Sequence, residues 1–198
     1  MPRKKNSSSA ETRQRLIDAS YRLITTRGYH ATSMRDIASE AGITAGSIYN
    51  HFSDKGEIVK AVLFVYHPIV KVMPVLEQTE GDSLQDLVRD ASRRMMHEVD
   101  TSPGILNLLY IELVELNGAH IDEMVATMYP LVDTFLKRIY ASGEQIRPAD
   151  PLTFFRAFIG HLLAYRLTQA APNSTVVTSG VDASLDDFIE IFLNGVLV

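Results

Sequence analysis

The chain has 198 residues, of which 46% are hydrophobic and 22% are charged, a composition that fits a globular protein and argues against general disorder. It contains no cysteine, which excludes disulfide bonds, thiolate metal sites and cysteine nucleophiles. The longest uncharged apolar run, about ten residues at 61–70, is shorter than the roughly 18 residues that span a membrane. Because the N-terminus also lacks the apolar core of a secretion signal, we expect a cytoplasmic protein.

The charge is divided unevenly along the chain. The net charge is −5, but residues 1–62 carry ten Lys/Arg against six Asp/Glu, whereas residues 63–198 carry nine against eighteen. A small basic module joined to a larger acidic one is the arrangement that draws a polyanion to one end of a protein. A chance distribution is the alternative explanation.

The first predicted elements are a tail and two helices. Residues 1–9 form a basic, serine-rich segment that we expect to be disordered. Apolar residues at helical spacing then predict a first helix that ends at Gly28. Ser33 and Asp36 resemble a capping box for a short second helix, which Gly42 closes.

The third and fourth helices follow directly. Thr44 is a suitable N-cap for the third and Ser53 for the fourth. At about 100° per residue, Ile48 and Phe52 share one face of the third helix, which we expect to be buried. Its other face, with Tyr49 at the flank, is small and polar. Short helices joined by Gly-containing turns indicate a helix-turn-helix module, although any short surface helix is polar outside.

The same segment strongly resembles the DNA-binding region of the TetR family of bacterial transcriptional regulators. The resemblance covers about 45 residues, from 11 to 57, in a long ordered pattern. The matching pieces are Gly28-Tyr29, Thr32-Ser33, Arg35-Asp36-Ile37-Ala38, Ala41-Gly42-Ile43-Thr44, Gly46-x-Ile48-Tyr49-x-His51-Phe52 and Ser53-x-Lys55. Gly56 departs from the family pattern, which commonly has an acidic residue there.

The resemblance implies a dimer whose third helices enter successive major grooves. Thr44, Tyr49 and His51 are then phosphate contacts, and Arg35 is the leading candidate for a guanine contact. The full set of predicted DNA-binding residues is Ser33, Arg35, Thr44, Ala45, Gly46, Ser47, Tyr49, Asn50, His51 and Lys55. The alternatives are that Ser33 is only a cap, that His51 is structural and that Arg35 is a surface charge.

The rest of the chain continues in the same helical pattern. Apolar residues recur at spacings of three and four between Gly, Pro and Asp breaks, in segments 83–99, 104–116, 120–143, 150–169 and 184–198. No segment alternates like a strand, so the predicted fold class is all-α. The predicted organisation is a helix-turn-helix domain at 10–56 and a helical ligand-binding and dimerisation domain at 57–198, with one long loop at 170–183.

The last two helices carry more apolar surface than one core-facing stripe requires. Together with the resemblance, this surplus implies a homodimer held by a four-helix bundle, with a wholly internal core as the alternative. The predicted interface residues are Phe155, Gly160, Leu163, Phe188, Ile191 and Phe192.

The middle helices are expected to hold a ligand pocket, because they contain adaptable Met and aromatic side chains with a few polar ones. The candidate residues are Met95, Met96, Tyr110, Glu112, Met124, Met128, Tyr129, Phe154, Phe158, His161 and Tyr165. Plain core packing is the alternative for each. A cationic ligand is admitted only if Glu112 or Glu115 is buried.

The predicted function is a ligand-responsive transcriptional repressor that binds a palindromic operator and is released by a small, mostly apolar effector. The fourth helix, with a break near Pro68 and Pro74, is expected to transmit the effector signal. An activator of the same family is one alternative, and a helical carrier or enzyme is another. The sequence shows no phosphate-binding Gly-rich loop, nucleophile motif or metal-spaced His pair, so we expect no catalytic residues, metal or cofactor.

Overall fold

The structure is a computed structural model that describes residues 4–102, 104–144, 146–147, 150–169 and 184–197. Within those ranges the chain is helical and forms no strand apart from a single bridge between Ile146 and Leu197, so the all-α prediction is confirmed. The α-helices are α1 Lys4–Arg27, α2 Met34–Glu40, α3 Lys55–Tyr66, α4 Pro68–Val72, α5 Leu84–Thr101, α6 Ile105–Tyr110, α7 Ile121–Ala141, α8 Pro151–Gln169 and α9 Leu185–Val196. Shorter turns complete the chain: 3₁₀ turns at Ser47–Asn50 and Met73–Gln78, and a π-helical turn at Ile111–Glu115.

Packing divides the chain into two compact units. Unit one contains residues 1–71 and 101–128, and unit two contains residues 72–100 and 129–198. The sequence boundary after residue 56 follows the family motif, whereas packing groups α3, α4, α6 and the start of α7 with the helix-turn-helix.

Unit one has an apolar core built from α1, α2, α3 and the 3₁₀ turn at Ser47–Asn50. Leu16 and Ile24 of α1, Ile37 of α2 and Ile48 of the turn are all fully buried. Each comes from the apolar face that helical spacing predicts, because burying that face supplies most of the stability of short helices.

The N-terminal helix begins earlier than predicted. The tail prediction for residues 1–9 is wrong for residues 4–9, which form the first turns of α1, and residues 1–3 lie outside the described residues. Once a helix is nucleated, each added residue gains a hydrogen bond, so a polar segment can extend a helix that is stabilised elsewhere.

One described stretch, Lys55–Gln78, is long and apolar enough to cross a membrane by length and composition alone, which the sequence estimate of run length did not anticipate. The structure breaks this stretch at His67, where the backbone is extended, and α4 begins at Pro68. The break confirms the interruption predicted near Pro68, since proline disfavours a helical conformation in the residue before it. Ile58, Val62 and Leu63 of α3 are buried in the core of unit one, as expected for a core helix.

Unit two packs α8 against α9 around a cluster of aromatic rings. The ring centroid of Phe154 lies 5.5 Å from that of Phe192, and Phe158 lies 5.7 Å from the same ring. The predicted loop at 170–183 lies outside the described residues.

Candidate nucleic-acid interface

Helix α2 starts with the predicted capping box. The Ser33 hydroxyl accepts the backbone N–H of Asp36 at 3.2 Å, and the Asp36 carboxylate accepts the backbone N–H of Ser33 at 3.0 Å. The hydrogen bonds from Ser33 lower the pKa of Asp36, because they favour its charged form. Gly28 and Gly42, which end α1 and follow α2, both have left-handed backbones with φ of 86° and 68°.

The third helix is shorter than predicted. In place of an α-helix that starts at Thr44, the chain forms a 3₁₀ turn at Ser47–Asn50. The Thr44 carbonyl accepts the Ser47 N–H at 2.9 Å, and the two hydroxyl oxygens lie 2.7 Å apart. Because α3 begins soon afterwards, few residues are available, and short segments commonly adopt 3₁₀ geometry.

The burial pattern of this turn is the predicted one. The side chains of Ile48 and Phe52 are 0% and 1% exposed, so both are in the core. On the outside, Ala45, Gly46 and Asn50 are exposed, as is 58% of Tyr49, whereas Ser47 and His51 are half-buried. Added to Gly46, a Cβ atom would meet nothing within 4 Å, so another surface can approach the backbone closely there.

Arg35 is a forked donor on the helix that precedes this turn. It lies on α2 and is exposed. A guanidinium in this position can reach two acceptors on a guanine edge or a phosphate. Arg35 and the exposed polar face around Tyr49 both belong to unit one.

Helix α3 is capped by a different residue from the one predicted. Asp54, and not Ser53, is the N-cap, and its carboxylate accepts the Glu57 N–H at 2.8 Å. The Ser53 N–H instead donates to the Glu57 carboxylate at 2.7 Å, and this hydrogen bond lowers the pKa of Glu57. A serine and an aspartate in adjacent positions are both good caps, so local preference did not decide between them.

Lys55 makes internal contacts that the sequence did not suggest. Its ammonium donates to the carbonyls of Tyr29 at 2.9 Å and Thr32 at 3.0 Å, and it lies 4.0 Å from the centre of the Tyr29 ring. The ammonium thus ties the start of α3 to the loop between α1 and α2. Since an ammonium has three N–H groups, one donor is left for a phosphate oxygen.

Two arginines of α1 contact other parts of the helix-turn-helix module. The Arg15 guanidinium donates to the carbonyl of Ala41, at the end of α2. The guanidinium carbon of Arg13 lies 4.6 Å from the centre of the Phe52 ring, a cation–π contact. Both contacts join segments far apart in the sequence, so periodicity does not reveal them.

The segment that includes α6 and the π-helical turn is fastened to the same module within unit one. The Asn107 side chain donates to the Thr25 carbonyl at 3.0 Å, near the end of α1. The Glu115 carboxylate accepts the His30 N–H at 3.2 Å, in the loop that leads into α2. These two hydrogen bonds join the helix-turn-helix to a part of the chain beyond residue 100.

The predicted pocket residues fall in both units. In unit one, Glu112 and Met124 are buried, Met128 is half-buried and Tyr110 is 43% exposed. The unit-two members are distributed as follows: Met95, Met96, Phe154 and Phe158 are buried, His161 and Tyr165 are half-buried, and Tyr129 is 51% exposed. The Glu112 side chain is 0% exposed, which meets the condition stated for a cationic ligand, whereas Glu115 is half-buried. The His161 ring Nε2 is hydrogen-bonded to the Phe188 carbonyl.

The predicted dimer-interface residues divide between surface and core. Ile191 is 65% exposed and Gly160 is exposed, whereas Phe155, Leu163 and Phe188 are half-buried. Phe192 does not fit the predicted interface, because its side chain is only 7% exposed and its ring packs inside unit two against Phe154 and Phe158. The periodicity of α9 placed Phe192 on an apolar face, but α8 covers that face within the same chain.

These features define a helix-turn-helix protein of the kind that regulates transcription. The sequence profile described as "Bacterial regulatory proteins, tetR family" matches residues 16–62, the part that forms the second half of α1, all of α2, the 3₁₀ turn and most of α3. Residues 16–62 therefore form the N-terminal module of the TetR family, and the comparisons together support a TetR-family transcriptional regulator. The recognised motif and the observed caps therefore lead to the same conclusion.

Individual relatives agree with this assignment. The HTH-type transcriptional regulator YvkB of Bacillus subtilis (strain 168) is 24% identical over 187 residues, which cover 93% of this chain and 97% of that protein. The HTH-type transcriptional repressor KstR2 of Mycolicibacterium smegmatis is 42% identical over 57 residues, which cover 29% of this chain and 28% of that protein. A TetR-family protein of Vibrio parahaemolyticus has the same fold, with a TM-score of 0.72 at 19% identity over 94% of this chain and 99% of that chain.

Proposed function

We propose that this regulator is a cytoplasmic repressor that binds a palindromic operator as a homodimer and is released by a small, mostly apolar effector. The observation that carries the proposal is the exposed polar face around Tyr49, held rigidly because Ile48 and Phe52 on the opposite side are fully buried. A rigid platform with small exposed residues allows close approach to base edges in a major groove. The repressor named KstR2 is 42% identical to this chain over 57 residues.

The contacts to DNA are proposed as follows. Arg35 reads a guanine, and Tyr49, Thr44 and His51 contact phosphates, with Ser33 beside them at the start of α2. Ala45, Gly46, Ser47 and Asn50 form the surface that faces the bases. Lys55 contributes its remaining N–H donor to a phosphate while it holds the loop between α1 and α2.

Dimerisation is proposed to use the exposed apolar stripe of α8 and α9. Leu152 and Leu167 on α8 are 41% and 44% exposed, and Ile191 on α9 is 65% exposed. Exposed apolar side chains on adjacent helices favour a self-complementary contact, which a two-fold axis supplies. The predicted residues Phe155, Gly160, Leu163 and Phe188 border this stripe, and Phe192 supports it from within.

Effector release is proposed to follow from linked equilibria. The hydrogen bonds from Asn107 and Glu115 join the α6 segment to α1 and to the loop before α2. An effector that favours a different position of this segment therefore also favours a different position of the recognition surface, and operator affinity falls. The extended backbone at His67, which ends α3, is the place where we propose that the chain bends in such a movement.

The test is footprinting of the purified protein on DNA that flanks its own coding region, across a salt series. We expect palindromic protection whose strength falls with salt. Arg35→Ala should cost about 1–3 kcal/mol of operator binding and relax specificity at one base pair, and Tyr49→Phe should weaken binding uniformly. Arg22→Ala is the matched control, because Arg22 is an exposed arginine of the same unit that pairs with Glu40 at 3.1 Å.

Two outcomes would refute parts of this proposal. Equal losses for Arg35→Ala and Arg22→Ala would mean that Arg35 acts only as a surface charge. Weak binding that ignores DNA sequence would mean either that the operator lies elsewhere or that the protein has this fold without the DNA function, as a helical carrier would. A promoter reporter separates repression from activation, since deletion of a repressor raises transcription and deletion of an activator lowers it.

A further inference from the structure

A pair of hydroxyl groups stands at the start of the 3₁₀ turn Ser47–Asn50. Thr44 Oγ1 and Ser47 Oγ lie 2.7 Å apart, a distance at which one hydroxyl donates a hydrogen bond to the other. The backbone supports this pairing, because the Ser47 N–H donates to the Thr44 carbonyl at 2.9 Å. Side chains three residues apart are also eclipsed in 3₁₀ geometry, which brings the two hydroxyls together. The pair is therefore part of the local fold and forms without DNA.

The two hydroxyls differ in how far they are exposed. Thr44 is exposed, whereas Ser47 is half-buried next to the fully buried Ile48. Gly46 precedes Ser47 and is exposed, and a Cβ atom added there would meet nothing within 4 Å. A base edge can therefore come close to the backbone beside Ser47. Thr44 is the outer member of the pair and Ser47 the inner one.

The number of protons decides what each hydroxyl can offer to DNA. A hydroxyl has one proton to donate and two lone pairs with which to accept. Phosphate oxygens accept hydrogen bonds, so a contact between Thr44 and a phosphate uses the Thr44 proton. The hydrogen bond between the two hydroxyls must then be donated by Ser47. Because its only proton points at Thr44, Ser47 presents lone pairs alone to a base.

We propose that Ser47 determines specificity by accepting a hydrogen bond from the exocyclic amino group of an adenine or a cytosine in the major groove. Adenine N6 and cytosine N4 are the amino donors exposed there, whereas guanine and thymine present acceptors at the same edge. To donate to a guanine or thymine oxygen, Ser47 would have to break its hydrogen bond to Thr44. This inference rests on the proposed function, because it names the class of base that one residue of that surface reads.

The test is the selection of binding sites by the full chain from randomised duplex DNA, followed by sequencing. We expect a palindrome in which one position of each half-site, read on one strand, favours adenine and cytosine over guanine and thymine by about three- to tenfold, as one hydrogen bond gives. Ser47→Ala should lose this preference and retain those at the other positions. A palindrome with no position that responds to Ser47→Ala would overturn the proposal.

Variants of Thr44 test the shared proton itself. Thr44→Val keeps the shape of the side chain and removes the hydroxyl, so the Ser47 proton becomes free and guanine and thymine should be accepted as well. Thr44→Ser keeps the hydroxyl and should keep the preference. Thr26→Val is the matched control, since Thr26 is an exposed threonine of the same unit whose hydroxyl donates to the Arg22 carbonyl at 2.7 Å. Weaker binding by Thr44→Val with an unchanged base preference would overturn the proposal.

A modified operator provides a second measurement. Replacing the selected adenine by purine, or the selected cytosine by 2-pyrimidinone, removes the amino group. Fluorescence anisotropy should show about three- to tenfold weaker binding by the wild type and little change for Ser47→Ala. Equal weakening of both proteins would contradict the role of Ser47.

The outcomes separate this inference from the proposed function. If the folded wild-type protein, checked by thermal melting, selects no preferred sequence, the proposed function fails. If it selects a palindrome whose base preferences are the same for Ser47→Ala, only the role of Ser47 fails.

Discussion

Lys55 offers the sharpest test of how the recognition surface is held in place. The substitution is Lys55→Met, which keeps the length and apolar stem of the side chain and removes the ammonium. In the wild-type protein this ammonium donates to the carbonyls of Tyr29 and Thr32 and lies over the Tyr29 ring. The variant therefore loses contacts that span the loop between α1 and α2.

The size of the loss follows from those contacts. A hydrogen bond that involves a charged group contributes about 1.5–3 kcal/mol, and a cation–π contact at a partly exposed site adds about 0.5–1 kcal/mol. Lys55 is half-buried, so water replaces part of this contribution. We expect Lys55→Met to lower the free energy of unfolding by about 2–4 kcal/mol, and the melting temperature by roughly 5–12 °C for a chain of this size.

Urea unfolding followed by far-ultraviolet circular dichroism measures this change, and Lys60→Met is the matched control in the same helix. The Lys60 ammonium pairs with Glu123 at 2.8 Å, but both side chains are about half exposed. An exposed pair of this kind contributes about 0–1 kcal/mol, so the control should be nearly as stable as the wild type. Equal stability of the two variants, together with weaker operator binding by Lys55→Met, would show that Lys55 contacts DNA phosphates and does not stabilise the loop between α1 and α2.

Three further predictions concern the backbone and the titrating groups of unit one. Gly28→Ala should destabilise the protein by about 1–2 kcal/mol in urea unfolding, because φ is 86° and the new Cβ would lie 3.3 Å from a carboxylate oxygen of the π-helical turn. Gly143→Ala is the control, because φ is 78° there and the new Cβ would meet nothing within 4 Å, so this variant has only the backbone cost. Equal losses of stability in the two variants would rule out a steric contribution at Gly28. Burial lowers the pKa of His67 from 6.5 to about 4, so its contribution to the free energy of unfolding is fully present above pH 6.5 and is lost as the pH falls toward 4. In a pH series, the melting temperature of His67→Asn should therefore change less with pH than that of the wild type. Ser33→Ala should raise the pKa of Asp36 toward its ordinary value in an NMR titration, because the hydrogen bonds from Ser33 lower that pKa. The stabilisation from the capping box is lost as the pH falls through the Asp36 pKa. An unchanged Asp36 pKa in the variant would contradict the capping box.

The sequence by itself determined the features that depend on residues three or four positions apart. The capping box of Ser33 and Asp36, the left-handed Gly28 and the shared buried face of Ile48 and Phe52 are of this kind. They are local because a helical turn brings such residues together whatever the rest of the chain does. The family motif is built from the same local features, which is why about 45 residues sufficed to identify the class of protein.

Only the tertiary structure decided how those elements are held against one another. Lys55 contacts carbonyls 23 and 26 residues away, and Glu115 contacts the loop before α2 from 85 residues away. Periodicity could not decide whether another chain or α8 covers Phe192, because both possibilities present the same apolar face. The buried Nε2 of His67 has no hydrogen-bond partner among the described residues, and this too is invisible in the sequence, because a histidine with a partner and one without are the same letter. Long-range packing determines which donors find acceptors, and in this protein it decides which residues hold the helix-turn-helix in place.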